Sequence, residues 1–165
     1  MSTIHFIFTG GTIDSYYDVT KDTAVPYVHS VIPQYLASLK LYTPFRFSRI
    51  CMKDSRDIGM NDRKKMLRAI EKSTCSKILL THGTYTMPKT AQFLHQHLRR
   101  RDQTIILTGS MIPLMGFSPS DAGFSLGFAL AKIQQLPPGV YVAMNGRAFT
   151  PGEVKKNIRK GRFES

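Results

Sequence analysis

Acidic side chains are scarce in this sequence: 11 Asp and Glu stand against 23 Lys and Arg over 165 residues, a formal net charge of +12. Cysteine is scarcer, with two, and no apolar run approaches the roughly 20 residues that a membrane-spanning helix requires. Each shortage excludes something. Cys51, at the end of one apolar run, and Cys75, just before another, make no disulfide framework and read as buried, reduced thiols. The five histidines, His5, His29, His82, His95 and His97, lack the HxxxH spacing of zinc ligands, so neither a metal nor a cofactor is expected. The start of the chain has no basic segment followed by a long apolar stretch, which argues against a secretory signal and for a cytoplasmic location with no membrane partner.

What is present describes a globular protein: 42% hydrophobic and 21% charged residues suit a soluble core, and residues 1–165 are expected to form a single domain. The basic excess gathers in "RKKMLR" (63–68), "LRRR" (98–101) and "KKNIRKGR" (155–162). Such a field attracts anions, including nucleic acid. No nucleic-acid-binding motif accompanies it, so that reading rests on charge alone, and solvated helix faces explain most of the clusters.

Apolar strands alternate with amphipathic segments. "IHFIF" (4–8) reads as a buried strand, and "FRFSRICM" (45–52) as a half-exposed or edge strand. "SKILL", "QTIIL" and "GVYVAM" are further strands. Helices are expected over "SVIPQYLASLK", over "NDRKKMLRAIEKS" with Asn61 or Asp62 as cap, from about Met87 to Arg100, and over a capped "SPSDAGFSLGFALAKIQQL". Residues 14–27, "DSYYDVTKDTAVPY", read as a long loop of the functional kind, and the tail after Glu153 as a basic ending with no further apolar element. The alternation predicts an α/β fold in three layers, with a mainly parallel sheet covered on both faces.

"FTGGT", "LTHGT" and "LTGSM" each place a threonine and a glycine at the end of an apolar strand. Three hydroxyl-bearing turns would then meet at the carboxyl edge of the sheet, where ligands collect in open α/β folds. Glycine turns offer backbone N–H groups to a developing oxyanion, and a threonine hydroxyl attacks a carbonyl once a base takes its proton. Such an edge suits acyl transfer.

"TGGTI" (9–13), "THGTYTM" (81–87), "TGSMIP" (108–113) and "SDA" (120–122), in this order, resemble the motifs of the bacterial type I and type II L-asparaginases. The family includes the amide-hydrolysing domain of the archaeal tRNA-dependent amidotransferase. The resemblance implies a Rossmann- or flavodoxin-like N-terminal asparaginase domain. It implies Thr12 as nucleophile, Thr84 as the second catalytic threonine and Lys156 as its partner, with Lys155 the neighbouring alternative. Ser55 would hold the substrate carboxylate, with Gly11 and Gly83 lining the substrate. A loop tyrosine would cover the site, and among Tyr16, Tyr17 and Tyr27 the choice falls on Tyr17.

Two residues depart from the family pattern. Tyr85 stands where the family motif HGTDTM has the aspartate that binds the substrate ammonium, and Arg56 stands where type II enzymes have glutamine. An arginine grips carboxylate and repels an ammonium. The sequence ends at Ser165, where the family continues into a second domain that supplies an acidic residue to a neighbouring subunit's site. A homo-oligomer, a dimer, is expected. The implied activity is amidohydrolysis of a small amide or dicarboxylate-like substrate, with specificity shifted away from free asparagine. The alternative is a catalytically impaired ligand-binding or assembly protein that keeps the fold.

Overall fold

Seven consecutive residues of β1 (Ile4–Gly10) are buried in the computed structural model, which describes residues 2–165. A strand covered on both faces draws on a mostly apolar run, and its two polar members, His5 and Thr9, are hydrogen-bonded where they are buried. Beside it lie β4 (Phe45–Lys53) at the edge and β5 (Lys77–Thr81) inward, followed by β6 (Thr104–Thr108), β7 (Gly139–Met144) and β8 (Arg147–Phe149), in the order β4-β1-β5-β6-β7-β8. Neighbours pair in parallel except β8, which runs antiparallel to β7.

Alternate side chains feed two apolar layers. Ile7, Ile78, Leu80, Ile105 and Leu107 point into one, closed by α2 (Met60–Lys72) and α3 (Met87–His97). Phe6, Phe8, Leu79 and Ile106 point into the other, closed by α1 (Ile32–Ser38) and α4 (Ala122–Gln135). Each large side chain taken out of water contributes about 1.5–3 kcal/mol, which holds the helices to the sheet. The result is the three-layer α/β arrangement that the alternation predicts.

Several local expectations change. Residues 14–27 are not a structureless loop: β2 (Ser15–Asp18) and β3 (Thr23–Pro26) pair as an antiparallel hairpin. Its strands are too short and too exposed for hydrophobic alternation to announce them. Helix α2 is capped by Gly59 rather than Asn61 or Asp62, and Asp62 reaches back from the third helical position to accept from the Gly59 N–H at 3.1 Å. Helix α3 ends at His97, short of Arg100. Asp121 precedes α4 without capping it, because its carboxylate accepts the Met111 and Ile112 N–H groups at 2.9 Å each. The tail does carry apolar elements: β9 (Lys155–Asn157) and β10 (Arg162–Glu164) form a hairpin anchored by buried Val154 and Phe163. Cys51 is half-buried rather than buried, with its thiol pushed up to about 11 by burial, whereas Cys75 is buried.

Candidate active site

Thr9, Thr81 and Thr108 end three strands that share one sheet, and in register Phe8 pairs with Thr81 and Thr81 with Thr108. The turns do converge, but these three hydroxyls are not the ones offered. Thr9 Oγ1 donates to the Thr81 carbonyl at 2.7 Å, and Thr108 Oγ1 to the Ala143 carbonyl at 2.9 Å. Those two bonds stitch neighbouring strands, whereas Thr81 Oγ1 is buried with no hydrogen-bond partner among the described residues. The hydroxyls left for chemistry come from the next threonines along, Thr12 and Thr84.

Close backbone approach brings those two together. A Cβ on Gly11 would lie 2.5 Å from the Gly83 Cα, and one on Gly83 would lie 2.7 Å from the Ser55 Cβ. The three turns therefore stack with no room for a side chain between them. Gly11 also has φ 82 and ψ 179, a conformation essentially confined to glycine. Its N–H donates to the Lys53 carbonyl at 2.8 Å, which ties the first turn to the edge strand. Thr12 then opens a 3-10 turn over Thr12–Asp14, half-buried, its hydroxyl without a hydrogen bond among the described residues. Asp14, fully buried, accepts from the Val31 N–H at 2.8 Å, and burial raises its carboxyl above the usual range. It fastens the base of the β2–β3 hairpin.

Lys156 Nζ donates to Thr84 Oγ1 at 2.7 Å, across 72 residues of sequence. Burial lowers the Lys156 ammonium below the ordinary lysine range; the Asp54 carboxylate works against that, and the Arg56 guanidinium adds to it. Lys155 is exposed, because β9 alternates and turns only Lys156 toward Thr84. Ser55 is buried, its hydroxyl accepting from the Thr86 N–H at 3.3 Å while its carbonyl accepts from the Thr86 hydroxyl at 2.6 Å.

Tyr85 is half-exposed and has two cations near its ring: Lys156 Nζ at 4.0 Å from the centroid and Arg56 Cζ at 4.8 Å. Arg56 does not reach out as a free carboxylate grip. Asp54 holds it in a two-point pair, Nε to Oδ1 at 3.0 Å and an Nη to Oδ2 at 2.8 Å. Nothing in the bare sequence "KDSRD" signals that pairing, since it depends on the 3-10 turn Ser55–Asp57 folding back on Asp54. Tyr17 donates to Asp22 within its own hairpin, Tyr16 packs on Tyr27 with ring centroids 5.0 Å apart, and no hydrogen bond among the described residues joins Tyr17 to Thr12.

Sequence reasoning also passed over His82. It is fully buried, and its Nδ1 donates to the Gly83 carbonyl at 2.8 Å. A neutral ring protonated there has Nε2 as acceptor, which the Thr90 hydroxyl satisfies at 2.9 Å, and Arg63 Nε donates to that hydroxyl at 3.1 Å. The chain of bonds fixes the Gly83–Thr84 peptide. Burial drops the His82 pKa to about 4. Above the unfolded value near 6.5 both states are neutral and its contribution is complete; as pH falls toward 4, only the unfolded chain takes the proton and stability is lost. The full loss is on the order of 3 kcal/mol, with about 2 kcal/mol gone by pH 5. Urea unfolding at pH 7 and pH 5 measures it, and His82→Gln should flatten the difference.

A family model described as "Asparaginase, N-terminal" matches residues 3–162. Over 92 residues, 54% of this chain and 27% of the relative, the sequence is 36% identical to a glutaminase-asparaginase of Acinetobacter glutaminasificans. Over 79 residues, 48% of this chain and 24% of the relative, it is 35% identical to an L-asparaginase of Thermococcus kodakarensis. The solved thermostable L-asparaginase from Thermococcus kodakarensis superposes with a TM-score of 0.84 at 27% identity, covering 99% of this chain and 51% of that one. The chain spans about half the length of that structure, and the aligned segments cover about a quarter of the two sequence relatives.

Proposed function

The chain belongs to the asparaginase family through that family's N-terminal domain, and from this premise we propose that it hydrolyses a small side-chain amide to carboxylate and ammonia with Thr12 as nucleophile. The observation that carries the reading is the Lys156–Thr84 hydrogen bond, with a lysine whose ammonium is disfavoured by burial. In its charged form Lys156 lowers the cost of a Thr84 alkoxide; once deprotonated it accepts the Thr84 proton. Thr12 Oγ attacks the amide carbon, its proton passes to the leaving nitrogen, the C–N bond breaks, and ammonia departs from an acyl ester on Thr12. Water then adds to the ester, losing a proton to the Thr84–Lys156 pair; the bond from the acyl carbon to Thr12 Oγ breaks, the pair returns the proton to Thr12 Oγ, and the carboxylic acid leaves and ionises to carboxylate. The Gly11 N–H is taken by the Lys53 carbonyl, so the oxyanion would be received by other backbone N–H groups of the glycine turns.

Substrate choice follows from charge. Where the family carries an aspartate for the ammonium, this site carries Tyr85 between two cations, one of them half-neutralised by Asp54. At an effective dielectric near 20, unit charges about 4 Å apart interact by roughly 4 kcal/mol. A third of that surviving Asp54 and solvent screening is about tenfold in affinity. Ammonia release measured across asparagine, glutamine, their N-acyl forms and succinamic acid, with Thr12→Ala as control, tests both points. The unaltered protein should release ammonia and Thr12→Ala should not. Succinamate, which lacks only the amino group, should bind about tenfold more tightly than asparagine by calorimetry, and tighter asparagine binding would remove the charge reading.

One observation favours a second reading, a ligand-binding protein without turnover: at the position of the family motif's aspartate the ring of Tyr85 lies 4.0 Å from Lys156 Nζ, so that lysine has an aromatic ring beside it in place of a carboxylate. Succinamate binding with no ammonia released from any amide in the panel would select it.

A further inference from the structure

The charge excess is not spread evenly over the fold. Helix α1 has no charged residue and α4 has only Lys132, whereas α2 carries Arg63, Lys64, Lys65, Arg68 and Lys72 against Asp62 and Glu71. Lys64, Arg68 and Lys72 repeat every four residues, exposed, and make no salt bridge among the described residues. Like charges at that spacing cost a helix stability, so folding alone does not account for the row.

At the upper end of this row, between α2 and α3, lies a cleft of about 510 Å³, within the range of small-molecule sites. It is separate from the Thr12–Thr84 edge. Pro88, Phe93 and Val154 give it an apolar part, Arg63, Lys89 and the exposed His97 ring line it as well, and no carboxylate does. Neither cation is in a salt bridge among the described residues. His97 stacks on Phe93 with centroids 4.3 Å apart, locked by its own bond to the Phe93 carbonyl. Gln92, in the same wall, has a buried Oε1 with no hydrogen-bond partner among the described residues. Cations bind phosphate, a flat apolar surface takes the face of a base, and an amide reads a base edge.

We propose that this cleft binds a nucleotide, its phosphate held by Arg63 and Lys89 and its base laid over Pro88 and the exposed ring of His97, within reach of Gln92. The chemistry is shared by a free nucleoside monophosphate and by a nucleotide of a single strand whose other phosphates follow the α2 row. The site also touches both supports of the Thr84–Lys156 pair. Arg63 begins the chain of bonds through Thr90 and His82 to Gly83, and Gly152 and Val154 in the cleft wall lead directly into β9 and Lys156.

Calorimetric titration with AMP, adenosine and inorganic phosphate, and fluorescence anisotropy of a labelled oligoadenylate, test the site at fixed salt. AMP should bind saturably, with adenosine and phosphate each at least tenfold weaker. Lys89→Glu and Gln92→Glu should each weaken AMP at least tenfold; Lys89 is exposed, so its variant keeps the fold. Thr12→Ala should bind AMP like the unaltered protein, which separates this site from the amidohydrolase reading. Amide hydrogen exchange at Thr84 and Lys156 should slow at least twofold with AMP bound, and unchanged exchange would overturn the link to that pair. AMP displacing the oligoadenylate identifies a strand as the source, and AMP binding without oligoadenylate binding identifies the free nucleotide. No saturable AMP binding, or AMP binding undiminished in both cleft variants, overturns the proposal. So does oligoadenylate binding that AMP does not displace and that Arg68→Glu, not Lys89→Glu, abolishes, since the helix row alone would then attract a polyanion.

Discussion

Lys156→Met is expected to lower kcat/KM for the best amide substrate by about 10²- to 10⁴-fold, the range that a positioned acid–base group contributes. The neighbouring Lys155→Met should leave it within twofold, because Lys155 is exposed while Lys156 Nζ lies 2.7 Å from Thr84 Oγ1. Methionine keeps much of the length of the lysine side chain while removing Nζ, and with it both the bond to Thr84 and the cation near the Tyr85 ring. Lys156→Arg should not restore the rate, since a guanidinium stays protonated at any working pH and cannot take the Thr84 proton. In the unaltered protein, activity should rise with pH as Lys156 gives up its proton. Burial lowers its pKa, so that limb falls at lower pH than the ordinary lysine value near 10.4. Steady-state ammonia release against pH, compared between the unaltered protein and the three variants, checks each point. A Lys156→Met rate equal to that of Lys155→Met would remove Lys156 from the chemistry.

Gly11→Ala is expected to cost more than about 3 kcal/mol of stability, or to prevent folding, because two penalties act on one methyl group. The φ of 82 with ψ of 179 is unfavourable for any residue with a Cβ, and that Cβ would lie 2.5 Å from the Gly83 Cα. The obstacle is backbone on both sides, so no rotamer change relieves it. Relief requires the first and second turns to separate, which also pulls Thr12 away from Thr84. Gly127→Ala makes the contrasting control: a Cβ there meets nothing within 4 Å, and a helical glycine replaced by alanine should gain up to about 1 kcal/mol. Urea midpoints of the two variants should therefore move in opposite directions. A Gly11→Ala protein as stable as the unaltered one would mean that the stacked turns are looser than the geometry requires.

The α/β class, the parallel core strands and the threonine turns were legible in the sequence because they rest on local chemistry. A strand buried on both faces is apolar over most of its length, as "FIF" (6–8) and "ILL" (78–80) are, and a chain that turns sharply beside another backbone must use glycine, as at Gly11 and Gly83. The β2–β3 and β9–β10 hairpins were not legible. Their strands are three or four residues long and mix exposed with half-buried positions, so no hydrophobic period marks them. Motif order pointed to Thr12, Thr84 and Lys156, but only the fold separates Lys156 from Lys155, by the alternation of one short strand. The pairing of Arg56 with Asp54, the two cations on the Tyr85 ring and the buried Thr90–His82–Gly83 bonds lay beyond reach for the same reason. A side chain's charge and hydrogen-bonding capacity belong to its residue type and can be read in one dimension, whereas what neutralises, buries or orients it is set by elements distant in the chain.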